Sequence, residues 1–397
     1  MHHRSFVLAV SGMVIAGVLL AGCTSSSTGA PAASGGTASG VLNVGVIAPL
    51  SGSIPAVGTS TKDAAQMAMD DVNANGGIAL ADGQKVTVKI NVQADANDPK
   101  QAAAVAHTLI DQDHVNAIIG PQTSANAAAV APIAQSSQTV MISPWAANPQ
   151  VAQGRSYVFL VYLPSPDEGK VMAHVAVDML HAKTVAVLYD VSSDYPKTIA
   201  ESFRDQVTAL GAKVVAFQTY SQGQTDYTSQ LTTIKQANPD VLFLPAYYNE
   251  VPLQVSQAQK LGITAKVIGS GGWDSPQILQ LCGAACEGDY FDDDYVPYRS
   301  DPKTKDFVTR YQTKYGSVPD SAAADTYDSF SLLFQAVAAA NSTNSVKVQA
   351  AMASIRNFSG VSGNIAYKVG SGVPSKSGVI IQIQNGKFVY VSTVNPE

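Results

Sequence analysis

From Val41 onward, short runs of β-branched and other apolar residues alternate with longer segments whose apolar positions recur every three or four residues. The first pattern is that of strands buried on both faces, the second that of helices with one buried face. It predicts strands over 42–48, 86–92, 115–119, 139–142, 184–189, 213–218, 241–244 and 265–269. Helices are expected over 59–74, 99–113, 124–136, 168–181, 195–210, 227–237 and 250–261. Such alternation gives parallel sheets covered by helices on both faces, an α/β architecture. The eight strands fall into two groups of four. Each group opens with an apolar strand, a Ser/Gly/Asp/Pro loop and a helix, a repeat of architecture rather than of sequence.

The last hundred or so residues change character. Helical patterns at 302–315, 319–341 and 345–355 run together, then strand-like runs follow at 364–368, 378–384 and 387–393, with Asn385-Gly386 as a hairpin turn. Two arrangements fit this pattern. The section returns to complete both groups of strands, or it forms a separate third domain.

The N-terminus has its own logic. Arg4 precedes an apolar run from Phe6 to Leu20, shorter than the ~20 residues of a membrane span but right for a signal peptide. The run ends in Leu20-Ala21-Gly22-Cys23, which resembles the bacterial lipobox. That resemblance implies cleavage after residue 22 and a diacylglycerol on Cys23, anchoring the chain on the extracytoplasmic side of a bacterial membrane, in the cell envelope. Residues 23–40 are small and uncharged, a flexible tether. With Cys23 so used, Cys282 and Cys286 remain, spaced by Gly-Ala-Ala. In an oxidising compartment they point to a disulfide if the chain bends at Gly283, or else to two inert thiols.

Composition narrows the function. Of 397 residues, 46% are hydrophobic and 14% charged, which excludes general disorder and allows two or three domains. The net charge is −6 without a basic block, so no nucleic-acid partner is expected. His107 and His114, like His174 and His181, are seven apart on one helix face, too distant to share a metal. Asp292-Asp293-Asp294 could ligate a cation but lacks the calcium-loop pattern, and reads rather as an exposed acidic turn. No hydrolase elbow, zinc-protease motif or phosphate loop is present. The chain is expected to be neither an enzyme nor dependent on a metal or cofactor.

Binding chemistry is better represented. In open α/β sheets, ligands sit beyond the carboxyl ends of strands. Strand 115–119 runs through Thr123 into Ser124, placed to cap the next helix and offer an anion site. Strand 139–142 leads to Trp145-Ala146-Ala147, strand 184–189 to Tyr195, and strand 241–244 to Tyr247 and Glu250. Core packing is the alternative role for the two tyrosines.

Ala48-Pro49-Leu50-Ser51-Gly52 and Asp71-Val72-Asn73-Ala74-Asn75-Gly76-Gly77-Ile78 resemble the opening of the type I periplasmic binding proteins, leucine/isoleucine/valine-binding branch. Asp98-Pro99-Lys100-Gln101-Ala102, Ile119-Gly120-Pro121, Ile142-Ser143-Pro144, Gly272-Trp273-Asp274-Ser275-Pro276, Tyr327-Asp328 and Phe358-Ser359-Gly360 extend the resemblance along the chain. It implies two Rossmann-like lobes with parallel sheets joined by three crossings: an N-terminal lobe of 41–164 and 297–376, and a C-terminal lobe of 165–296 and 377–397. The implied function is a monomeric substrate-binding lipoprotein of an ABC importer, with permease subunits and ATPases as partners; signalling to a membrane receptor is the alternative.

In that family a serine at the position of Ser124 and a Ser/Thr at that of Ala147 hold the ligand carboxylate, while tyrosines matching Tyr195 and Tyr247 close the far wall. An acid at the position of Gly271 pairs with the ligand ammonium. Here Ala147 lacks the hydroxyl and Gly271 lacks the acid. Either Asp274, Glu250 or Asp325 substitutes, or the ligand is a small carboxylate or amide without an ammonium.

Overall fold

The computed structural model describes residues 40–395; Cys23, the leader and nearly all of the tether lie outside the described residues. The first sheet contains β1 (Gly40–Ala48), β2 (Ile78–Ala79), β3 (Lys85–Ala94), β4 (Ala117–Ile119), β5 (Val140–Ser143) and β6 (Val158–Leu160). Its order is β2-β3-β1-β4-β5-β6, parallel except for β2. Between these strands run α1 (Pro55–Ala74), α2 (Pro99–His107) and α3 (Ser124–Ser136). Proline opens α1 and α2, where its missing N–H costs nothing, and the Asp98 carboxylate caps α2 by accepting from the N–H groups of Lys100 and Gln101.

The second sheet repeats the scheme with α4 (Ser165–His174), β7 (Thr184–Asp190), α5 (Asp194–Ala209), β8 (Lys213–Tyr220), α6 (Thr228–Ala237), β9 (Val241–Leu244), α7 (Val251–Lys260), β10 (Lys266–Gly269), α8 (Pro276–Cys282) and β11 (Tyr290–Asp293). The last section is α9 (Pro302–Tyr315), α10 (Ser321–Ala340), α11 (Ser345–Met352), β12 (Asn357–Ser359), β13 (Asn364–Tyr367), β14 (Pro374–Ser375), β15 (Gly378–Gln384) and β16 (Lys387–Val394). It is not a separate domain. Phe330, Leu333, Val337, Ile365 and Tyr367 share a core with Leu42, Val44 and Ile119 of the first sheet, whereas β15 and β16 extend the second, in the order β16-β15-β11-β10-β9-β7-β8. These two strands pair antiparallel, so this sheet too is mixed at its edge. The turn between them places Asn385 and Gly386 at φ 52° and 66°, as a tight hairpin requires.

Three details correct the sequence reading. First, Asp292 and Asp293 end a central strand, paired to β10 and β15, and with Asp294 are buried rather than exposed. The flanking apolar residue Phe291 carries them into the core. Second, His107 and His174 end their α-helices, each followed by a wider π-type turn, while His114 and His181 lie beyond it at positive φ. The shared spacing His-x-x-x-Asp-x-x-His is therefore a local repeat of sequence as well as of structure. Third, β6 and β11 have no counterpart among the expected strands. Cys282 and Cys286 are joined as a disulfide across the turn at Gly283, with Cα atoms 5.6 Å apart.

The chain passes between the sheets three times: after β6, after β11 and after β14. One buried lysine ties the passages together. Lys376, in the third, places Nζ 2.9 Å from Asp325 Oδ1 on α10 and 2.9 Å from Ser362 Oγ, and also bonds Asp294 of the second. Asp294 accepts from the Leu163 N–H of the first, and the neighbouring Tyr162 hydroxyl donates to Asp293. The two carboxylates hold the lysine above its ordinary pKa, against the effect of burial, so it is charged at any working pH. Removing one partner of a buried ion pair strands the other, at a cost of about 3–5 kcal/mol. Lys376→Met is expected to lose stability on this scale in urea unfolding, and adding Asp325→Asn to recover part of it. A midpoint unchanged from wild type would show that the knot carries no weight.

Candidate ligand-binding site

Both sheets end in loops that meet between the lobes. A cavity of about 290 Å³ lies there, bordered by Asn97, Thr123 and Asn126 from the first lobe and by Asp190, Tyr247 and Glu250 from the second, the size of a small-molecule site.

Ser124 does not cap α3. Thr123 occupies the cap position, with its hydroxyl turned to Asn97, and Ser124 is the first helical residue. Its Oγ accepts from the N–H groups of Ala147 and Asn148, at 3.2 and 3.1 Å. The two groups expected to share a ligand anion are thus bonded to each other here. The orphan N–H groups of the first turn of α3 remain the anion-attracting feature.

Trp145 donates Nε1–H to Ser321 Oγ and reaches across to the second lobe, its ring 5.8 Å from that of Tyr247 and 6.2 Å from that of Tyr162. Ala146 and Ala147 are buried behind it. Tyr195 stacks on Tyr247 with ring centres 5.4 Å apart. Its hydroxyl donates to Glu168 Oε2 at 3.0 Å and accepts from the Gly272 N–H at 2.9 Å.

The missing acid at residue 271 has a steric cause. A Cβ on Gly271 would stand 1.7 Å from the Tyr162 hydroxyl and 3.3 Å from Glu168 Oε2. Glu168, from the first turn of α4, is wholly buried; Oε2 also accepts from the Gly271 N–H and Oε1 has no partner. Burial first, and then the Asp292 carboxylate, pushes its pKa well up, against hydrogen bonds from Tyr195 and Gly271. Sequence reasoning missed Glu168, because an acid in a first helical turn ordinarily faces water.

Of the three substitutes considered, Asp274 accepts from the Ser321 N–H at 2.6 Å and ties the start of α10 to the second lobe, and Asp325 belongs to the lysine knot. Glu250 alone borders the cavity. Burial raises its pKa to about 7, opposed by the Tyr220 hydroxyl on Oε2. Among the described residues, no cluster of His, Cys, Asp and Glu is arranged to hold a metal ion, and no helix is long and apolar enough to cross a membrane.

Residues 41–387 match the model of a family described as periplasmic binding protein. A Leu/Ile/Val-binding protein homolog of Brucella melitensis is 27% identical over 351 residues, 88% of this chain and 93% of that one. A leucine-binding protein of Thermotoga maritima superposes with a TM-score of 0.83 at 32% identity, covering 89% of this chain and 99% of that one. A branched-chain amino acid transporter substrate-binding protein of Streptococcus pneumoniae, in complex with isoleucine, gives 0.82 at 30% identity over 90% of this chain and all of its own.

The steric argument at residue 271 is open to test. Gly271→Ala must displace Tyr162, at a cost of about 1–3 kcal/mol for an overpacked site. Tyr162→Phe in the same chain removes the clashing oxygen and is expected to restore part of the loss. Equal thermal stability of Gly271→Ala and wild type would refute it.

Proposed function

The chain belongs to the periplasmic binding protein family, and on that premise we propose that it is the substrate-binding component of an ABC importer, capturing a small amino-acid-like or carboxylate/amide ligand between its lobes. One observation carries this reading: the cavity is bordered by strand-end loops of both lobes, so an occupant bridges them. Bridging contacts favour the lobes closed over the ligand. The closed form is what permease subunits, driven by ATPases, would recognise. The family and the relatives it includes are binding proteins rather than enzymes.

The ligand's head group is placed by elimination. The first turn of α3 offers N–H groups to a carboxylate or amide oxygen. An ammonium finds its acid in Glu168 or Glu250, since Asp274 and Asp325 are engaged elsewhere. The lipobox supports a chain tethered through Cys23 to the outer face of a bacterial membrane, with residues 1–22 removed; we take the chain to be a monomer whose lobes divide at 164/165, 296/297 and 376/377, near the three passages between the sheets.

Two experiments test this. A thermal-shift screen of amino acids, amines and amine-free carboxylates should find a ligand that stabilises by about 2.7 kcal/mol at 100 times its Kd; a panel without a hit would defeat the proposal. Cys23→Ser should leave the chain unprocessed or release it to the soluble fraction. A variant processed and membrane-bound like wild type would remove the lipid anchor.

A further inference from the structure

Beyond the first-turn N–H groups of α3, the cavity between the lobes is bordered by acceptors with spare capacity. Asn126, on the first turn of α3, donates Nδ2 to Asp95 at 2.7 Å. That bond fixes the amide orientation and leaves Oδ1 as the other end, buried and without a partner. Asp190, at the end of β7, uses Oδ1 for the N–H and hydroxyl of Ser192, at 2.8 and 2.6 Å. Among the described residues its Oδ2 accepts no hydrogen bond. Glu250 receives the Tyr220 hydroxyl on Oε2 at 3.0 Å, with the Tyr247 backbone nearby, and no side chain among the described residues donates to its Oε1. Tyr227 and Tyr247 complete the aromatic wall. Among the described residues no lysine, arginine or histidine borders the cavity.

A buried acceptor without a donor is unfavourable, and two carboxylates facing one small space repel each other. A branched aliphatic side chain brings neither donors nor charge. It would remove water from these oxygens and leave them unmatched. A positively charged group with several N–H donors supplies what all three lack, and the tyrosine rings tolerate a cation beside them.

We infer that this cavity is a cation subsite, in which an amine or guanidinium group of the ligand docks among Asn126, Asp190 and Glu250. The inference rests on the reading of the cleft as a solute-binding site and narrows the solutes to positively charged ones. Asn126 and Asp190 come from opposite lobes, so a cation held by both also links closure to charge.

Calorimetric titration of the full folded chain with arginine, putrescine, leucine and benzoate separates the outcomes. Arginine or putrescine is expected to bind at least tenfold more tightly than leucine or benzoate. Glu250→Gln and Asp190→Asn should each weaken the cation at least tenfold, and Glu250→Asp should keep part of the affinity. Glutamine is isosteric with Glu250 and removes a buried charge, so the unfolding midpoint of Glu250→Gln without ligand should not fall, which separates a binding defect from misfolding. Leucine or benzoate binding more tightly than either cation, or cation binding indifferent to both substitutions, would overturn the cation subsite while leaving the solute-binding reading intact. Silence from all four probes would also overturn it, and the wider screen described above then decides the parent reading.

Discussion

The three crossings between the lobes are joined through a charge taken out of water. Three stretches of chain cross between the sheets, and Lys376 in the third is bonded to Asp294 in the second, which in turn receives an N–H from Leu163 in the first. A carboxylate pair without the lysine would be repelled from this place, and the lysine without the carboxylates would lose its proton or its burial. Asp325 and Ser362 attach the same lysine to the first lobe. The crossings are therefore held as one unit, and closure of the lobes has to turn about that unit rather than pull it apart.

The same crossing also shapes the binding side. Tyr162 and Leu163 are consecutive: Leu163 serves the lysine knot, while Tyr162 hydrogen-bonds Asp293 and fills the space beside Gly271. Glycine at 271 is then a packing requirement, and the acid that would project from that position has nowhere to go. Glu168 arrives from another element to fill the gap, held by Tyr195 and the Gly271 N–H. One aromatic side chain thus links the hinge chemistry to the rearrangement of charge in the cleft.

How far all this was legible in the sequence differs from residue to residue. Strands flanked by polar loops, such as Val241–Leu244, stand at the positions their apolar runs predict. Val158–Leu160 does not announce itself, because it lies within an unbroken apolar stretch from Tyr157 to Leu163 that has no period to read. Tyr290–Asp293 is hidden for the opposite reason: its acids look like a solvated turn, yet both are buried, Asp293 against the distant Tyr162 hydroxyl and Asp292 with neither oxygen partnered among the described residues. Ser124 is expected from the sequence as a helix cap, and a one-residue shift of the helix start passes that position to Thr123. Family motifs located Tyr195 and Tyr247. Glu168 carries no such motif, and its partners come from segments far apart in the chain.

The acids left over in the cleft set the direction in which pH acts on the empty protein. Burial raises the Glu250 pKa to about 7 in the fold, above the ordinary carboxylate range, and Asp190 adds to the penalty, while the Tyr220 hydroxyl and the nearby Tyr247 backbone partly offset it. A raised acid pKa means that the folded state keeps its proton where the unfolded chain has already lost it. The contribution of Glu250 to the stability of the empty form is therefore greatest in mild acid and declines as pH rises through about 7, since between its unfolded and folded pKa values the unfolded chain binds fewer protons. An occupant that satisfies the Glu250 carboxylate lowers this pKa and removes the decline. Closure then depends on the solute for charge balance as well as for contact, so an empty cleft and a filled one differ most at neutral pH, where the carboxylate would otherwise ionise without an opposite charge in the cavity.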